Sequence, residues 1–135
     1  MSANNLDRLA ARTAQEIVQN LTTEEAGKLE NLATKALGVL QENGVYAGML
    51  FLYSRSEREK AYAKNIREAL LKTLAQSELN SLHLSLPADK DKSNWLHVSD
   101  HLNTMICGEL DTLLLIKQLW EQTLIYTRYS AKARG

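Results

Sequence analysis

Residues 43–56 read NGVYAGMLFLYSRS, and the structure of this stretch decides how the rest of the chain is organised. Its apolar part, residues 49–53, is far shorter than the ~18 residues that indicate a membrane-spanning helix. A short apolar run is compatible with a buried strand or with a buried helix, because periodicity does not separate the two. The flanking sequence therefore decides between them.

The sequence before this stretch predicts two amphipathic helices. Apolar residues recur at spacings of three and four through residues 5–20, which predicts the first helix. Thr22 and Glu25 then match a capping box, in which each side chain bonds the backbone N–H of the other residue, and this predicts the start of a second helix. Its apolar positions continue to Asn43 and Gly44, where glycine readily adopts the left-handed geometry that ends helices.

The apolar stretch after Gly44 lies between two helical segments, so we predict that it forms a short buried helix. Gly48 costs about 1 kcal/mol of helix stability relative to alanine, and we expect it to permit a close approach to another helix backbone. Ser56 and Glu59 match a second capping box, which predicts a further helix that runs to about Leu79.

The remainder of the chain predicts a loop and two more helices. Helical periodicity breaks in residues 80–94, which we expect to form a flexible loop. Ser93 is placed to cap a fifth helix that is interrupted near Gly108, and a strongly apolar last helix begins near Leu110. The expected fold is therefore all-α, a single helical domain over residues 1–135 built as a bundle of about five to six helices.

The composition argues against several functional classes. Sixteen basic and sixteen acidic residues give a formal net charge of zero, which is not typical of a generic nucleic-acid-binding protein. The single cysteine cannot form an internal disulfide, and the N-terminal segment does not resemble a signal peptide, so we expect a cytoplasmic location. No phosphate-binding loop and no nucleophile–base pair is visible, so we expect no enzymatic activity and no cofactor.

The histidines are the remaining candidates for site chemistry. His97 and His101 lie one helical turn apart, a spacing that can place two imidazoles on one metal ion, with Asp100 and Cys107 nearby. Spacing identifies no third ligand and no acid–base partner for His83. We therefore favour surface histidines and no metal, and keep a metal-dependent enzyme as a rival hypothesis.

Basic residues are concentrated in two zones despite the neutral total, and the first is residues 51–72, with six basic and three acidic side chains. Three of its cations, at spacings of four and three, share one face of the predicted helix, and two more lie at or before the helix N-terminus. Cations there oppose the helix dipole, at a cost of a few tenths of a kcal/mol per charge, which favours a functional reason for them. These residues are Arg55, Arg58, Lys60, Lys64 and Arg67.

The second basic zone is the end of the chain, where aromatic and cationic side chains are mixed. Its members are Tyr126, Arg128, Tyr129, Lys132 and Arg134. Such a mixture is suited to stacking on bases and to holding phosphates. The alternative is that the two tyrosines complete the core face of the last helix while the cations stabilise its negative end.

Two segments resemble the small helical subunit of Cmr-type (type III-B) CRISPR effector complexes: residues 29–35, LENLATK, and residues 43–55. That family tends to show a leucine-alanine-basic helix, an Asn-Gly-aliphatic turn, a buried Ala-Phe-Leu stretch and a Ser-Lys or Ser-Arg exit. Residues 128–131, RYSA, are similar to its Arg-Phe-Ala ending, and Arg8 and Arg12 in the first helix also fit.

The resemblance implies a non-catalytic structural subunit of a ribonucleoprotein in antiviral defence. Such a subunit stacks with itself in a short filament and with larger subunits, and it lines the groove that holds guide RNA and target RNA. Its basic residues contact the RNA backbone, because guide–target pairing supplies the sequence specificity. The predicted RNA-binding residues are Arg55, Arg58, Lys60, Lys64, Arg67, Arg128, Lys132 and Arg134.

The resemblance itself covers Arg55 and Arg128, whereas the face geometry adds Arg58, Lys60, Lys64 and Arg67. The alternative function is a helical protein–protein adaptor without RNA binding, which would use the apolar last helix and the acidic segment around residues 100–121. In neither case do we expect a membrane partner.

Overall fold

The structure, a computed structural model, describes residues 3–19, 21–74, 96, 98–100 and 110–134. These residues contain no strand, and four helices have described bounds: α1 (Ala3–Val18), α2 (Thr23–Tyr53), α3 (Lys60–Thr73) and α4 (Leu110–Arg134). Residues 96 and 98–100 are helical as well. The prediction of an all-α fold is therefore confirmed. The predicted loop at 80–94 lies outside the described residues. Within the described ranges, no helix is both long and apolar enough to cross a membrane.

The start of α2 carries the predicted capping box. The Thr22 hydroxyl oxygen accepts from the backbone N–H of Glu25 at 3.2 Å, and the Glu25 carboxylate accepts from the backbone N–H of Thr22 at 3.3 Å. Glu24 and Glu25 also place negative charge in the first turn, beside the positive end of the helix dipole. These local interactions fix the start of α2, which follows α1 after a short connection.

Gly44 divides α2 into two limbs, residues 23–43 and 45–53. Its backbone has φ 93° and ψ −175°, a conformation that glycine adopts readily and that strains residues with a Cβ atom. The predicted break at Gly44 is confirmed, and so is the helical structure of the apolar stretch that follows it. Val45, Met49 and Leu52 of the second limb are buried in the core.

Gly48 allows the two limbs of α2 to approach each other. A Cβ atom placed on Gly48 would lie 3.4 Å from the Leu40 Cβ atom and 3.5 Å from the Leu40 Cα atom. In a straight helix these residues would be about 12 Å apart along the axis, so the bend at Gly44 is sharp. The predicted close approach is thus present, but the neighbouring backbone belongs to the first limb of the same helix.

α4 packs against α1 and α2 and carries Trp120, the largest fully buried side chain among the described residues. The Trp120 indole N–H donates to the Thr73 hydroxyl oxygen at 3.0 Å, and the Thr73 hydroxyl donates to the Leu70 carbonyl oxygen. Trp120 and Thr73 are each about 1% exposed. Because the indole nitrogen is a donor only, Thr73 supplies the acceptor that its burial requires.

We predict opposite effects on stability for alanine at two glycines of α2. Gly44→Ala should reduce the free energy of unfolding by about 1–3 kcal/mol, because alanine is strained at φ 93°. Gly38→Ala should raise it by about 0.5–1 kcal/mol, because Gly38 is helical and its added Cβ atom would contact nothing within 4 Å. Urea denaturation measures both values. Equal effects of the two substitutions would contradict the bend described here.

We predict that Thr73→Val destabilises the protein by about 1–3 kcal/mol, since it leaves the buried indole N–H of Trp120 without an acceptor. Thr127→Val is the matched control. The Thr127 hydroxyl is equally buried, but it donates to the Thr123 carbonyl oxygen within its own helix, and its loss should cost about 1 kcal/mol or less. Denaturation followed by tryptophan fluorescence compares the variants. A larger loss for Thr127→Val would show that the indole bond is unimportant.

Candidate nucleic-acid interface

The N-terminus of α3 is built differently from the prediction. The helix begins at Lys60 after Glu59, which makes no side-chain capping bond, so the predicted Ser56–Glu59 capping box is wrong. The Glu59 backbone N–H instead donates to the Ser56 carbonyl oxygen at 3.0 Å. Its carboxylate lies 3.3 Å from Lys35 Nζ and 3.5 Å from an Arg55 guanidinium nitrogen. The Glu59 carboxylate thus pairs with two cations and does not cap the helix.

Arg55 closes the C-terminal end of α2. Its Nε–H donates to the Phe51 carbonyl oxygen at 3.0 Å, and its guanidinium lies 3.8 Å from the centroid of the Phe51 ring. With the Glu59 ion pair, these contacts engage several faces of one guanidinium, and the side chain is only 25% exposed. Arg55 is therefore mainly a structural cation, because it adds a hydrogen bond to a carbonyl group that also accepts from Ser54, and it stabilises the negative end of the helix.

Arg58 and Lys64, in contrast, are exposed and make no ion pair or hydrogen bond within the described part of the chain. Lys60 lies 3.9 Å from Glu57, and both side chains are largely in solvent, so this pair contributes little. The buried face of α3, which includes Ala63 and Ile66, points into the core.

Arg67 lies against the second limb of α2. Its guanidinium is 4.3 Å from the centroid of the Tyr53 ring. Partial burial raises the pKa of Tyr53 above its usual value of 10.0, and the charge of Arg67 opposes that rise. The neutral ring orders the guanidinium by a cation–π contact. We call the group formed by Arg58, Lys60, Lys64 and Arg67 the α3 basic surface.

The two tyrosines of the C-terminal zone differ: one completes the core face of the last helix, and the other lies exposed among the cations. Tyr126 packs against the core, and its hydroxyl donates to the Asp7 carboxylate of α1, a bond that raises the pKa of Tyr126. Tyr129 is 59% exposed, and the guanidinium of Arg128 lies 5.7 Å from its ring centroid. Tyr126 therefore completes the α1–α4 contact, whereas Tyr129 remains on the surface among the cations.

The two basic zones have different neighbours. The α3 basic surface lies beside the end of α2, through the contact of Arg67 with Tyr53, whereas the C-terminal zone lies beside α1. Lys132 and Arg134 are exposed at the end of α4. Arg134 also shares a cleft with Arg12, a residue that sequence reasoning did not place in the site, because their proximity depends on the packing of two distant helices.

The metal hypothesis is not addressed by the described residues. His83, His97, His101 and Cys107 lie outside them, and among the described residues no group of three metal-ligating side chains is gathered.

Comparison with protein-family models, with curated proteins and with solved structures found no match for the chain.

We predict that Arg55→Lys lowers the free energy of unfolding by about 1 kcal/mol, because lysine cannot both bond the Phe51 carbonyl oxygen and cover the Phe51 ring. Arg58→Lys should change it by less than about 0.5 kcal/mol, since Arg58 is exposed and has no such contacts in the described chain. Thermal and urea denaturation test the difference. If both substitutions were neutral, the structural role of Arg55 would be refuted.

Proposed function

We propose that this chain is a non-catalytic structural subunit of a Cmr-type CRISPR RNA-guided effector complex, and that its α3 basic surface contacts the backbone of guide or target RNA. The observation that supports this proposal most directly is that Arg58 and Lys64 are cations without a partner in the described chain. Both are exposed, and neither has an acceptor in the described chain. Six other cations in the described chain have carboxylate partners: Lys28, Lys35, Arg55, Lys60, Lys72 and Lys117.

The N-terminus of α3 adds a second argument for a phosphate partner. The first turn contains no acidic residue, and Glu59 does not cap it. The first N–H groups of a helix lack intrahelical acceptors, and together with the helix dipole they favour an anion. Arg58 and Lys60 are unfavourably placed beside this positive end in the free chain. A phosphate at this position would satisfy the N–H groups and offset the repulsion.

The neutral total charge is compatible with an RNA-contacting subunit of a larger assembly. Lysine and arginine bind phosphates without reading sequence, and pairing between guide and target supplies the specificity. One basic surface can therefore meet RNA, while acidic surfaces elsewhere meet basic patches on neighbouring subunits. Repeated head-to-tail contacts between copies would build a short filament that other subunits end.

A helical adaptor that binds only protein is the second candidate, and exposed leucines favour it. Leu114 on α4 is 53% exposed and Leu50 on the second limb of α2 is 43% exposed. Exposed large apolar side chains are common at protein interfaces, but single ones also occur on ordinary surfaces. Stacking with neighbouring subunits would cover the same side chains, so the two candidates differ chiefly in RNA binding.

We predict that reversing the charges of Arg58 and Lys64 weakens binding of single-stranded RNA. A plot of log affinity against log salt concentration has a slope that reports the number of phosphates engaged. Arg58→Glu with Lys64→Glu should reduce the magnitude of this slope by about 1.4, if each cation engages one phosphate. Arg67 is left unchanged because its guanidinium packs on Tyr53. The measurement is a fluorescence-anisotropy titration over a salt series, with circular dichroism to verify folding.

The control carries the same change of charge away from the α3 basic surface, as Arg8→Glu with Lys28→Glu on exposed positions of α1 and α2. It should retain most of the affinity and the original slope. Equal losses in the two variants would mean that RNA responds to net charge alone. Unchanged binding in the α3 variant would place the RNA contact elsewhere and overturn the role of the α3 basic surface. If the parent chain binds no RNA, either in isolation or in the assembled complex, the protein-only adaptor is favoured.

A further inference from the structure

A cleft of about 560 Å³ lies between α1 and the last turns of α4, and two arginines from distant parts of the sequence line it. Arg12 comes from the middle of α1 and Arg134 from the end of α4. Neither guanidinium forms an ion pair or hydrogen bond with another described residue. Among the described residues, the fold therefore gathers two cations at one concave surface with no ion-pair partner for either of them.

The other polar groups of the cleft are hydrogen-bonding and mostly neutral. Gln15, Gln19 and Ser130 line it together with the arginines. The one carboxylate in the lining, Glu16, lies 3.8 Å from Lys72 Nζ of α3, so a cation outside the lining offsets its charge. The cleft thus presents a positive field with neutral donors beside it, and concave surfaces of one sign concentrate counter-ions.

Helix-end electrostatics explain only one of the two arginines. Arg134 lies in the last turn of α4, where a cation stabilises the negative end of the helix. Arg12 lies six residues before the end of α1 at Val18, so it is outside the last turn, where this effect operates. Helix-end electrostatics therefore give no reason for Arg12 to line the cleft, and Arg12 has no ion-pair partner among the described residues.

We propose that this cleft binds a phosphate group, carried by a nucleotide or by an RNA strand. Arg12 and Arg134 would donate N–H groups to the phosphate oxygens, since guanidinium groups match phosphate geometry. The amides of Gln15 and Gln19 and the hydroxyl of Ser130 would donate further hydrogen bonds. This site is separate from the α3 basic surface, and its existence does not depend on the function proposed above.

The test is an NMR titration of the full chain with uridine 5′-monophosphate, with uridine as the ligand that lacks phosphate. The monophosphate should shift the side-chain signals of Gln15, Gln19 and the two arginines, and uridine should not. Arg12→Gln and Arg134→Gln should each weaken binding about ten-fold, the loss expected for one charge-assisted hydrogen-bonding group. Both residues are exposed, so we expect these variants to fold, and circular dichroism verifies this.

The matched controls remove the same charge from the same helices outside the cleft lining. Arg8→Gln lies one turn before Arg12 on α1, and Lys117→Gln lies on α4 well before the last turns that line the cleft. Both should bind the monophosphate nearly as the parent chain does. A loss in these controls equal to that in the cleft variants would overturn the proposal, and so would equal binding of uridine and its monophosphate.

A short oligouridylate without a terminal phosphate distinguishes the two sources of the ligand. If it binds with the same dependence on Arg12 and Arg134, internal phosphodiesters of RNA occupy the cleft. If only the monophosphate binds, the site takes a terminal phosphate; both results support a phosphate site. In the variant Arg58→Glu with Lys64→Glu, the monophosphate should still shift the side-chain signals of Gln15 and Gln19 as in the parent chain, which separates failure of this site from failure of the α3 basic surface.

Discussion

The positive φ of Gly44 is the constraint on which the rest of the described structure depends. It bends α2 so that Gly48 contacts Leu40 eight residues earlier, and a straight helix would not allow that contact. The bend carries the apolar second limb into the core and places Tyr53 under the Arg67 guanidinium of α3. A residue with a Cβ atom would be strained at this backbone conformation, so the position of α3 beside α2 depends on one glycine.

The Glu59 carboxylate determines which cations of the first basic zone remain available. Lys35 and Arg55 both lie within ion-pair distance of it, and Arg55 also bonds the Phe51 carbonyl oxygen. Arg55, although it belongs to the first basic zone, is thereby engaged with the protein itself. The start of α3 is left without a side-chain cap. Arg58 lies on the same short connection but stays in solvent. Residues of the same charge in one sequence zone therefore have different physical roles.

Both functional proposals rest on cations that lack partners within the described chain. On α3 they lie beside an uncapped helix N-terminus, and in the α1–α4 cleft they lie beside neutral hydrogen-bonding groups. Phosphate is an anion that suits both settings, because backbone N–H groups and guanidinium groups each donate to its oxygens. A chain of zero formal charge can hold such sites because several cations elsewhere, such as Lys28 and Lys117, are paired with nearby carboxylates.

The sequence by itself determined the features that arise within a few residues. The all-α fold, the Thr22–Glu25 capping box and the break at Gly44 follow from helical periodicity, hydrogen bonding over three residues and glycine's backbone freedom. Only the tertiary structure decided that Glu59 pairs with Lys35, and that Arg12 and Arg134 share a cleft. These pairs are far apart in sequence, and their proximity depends on how bent and packed helices meet, which local periodicity does not encode.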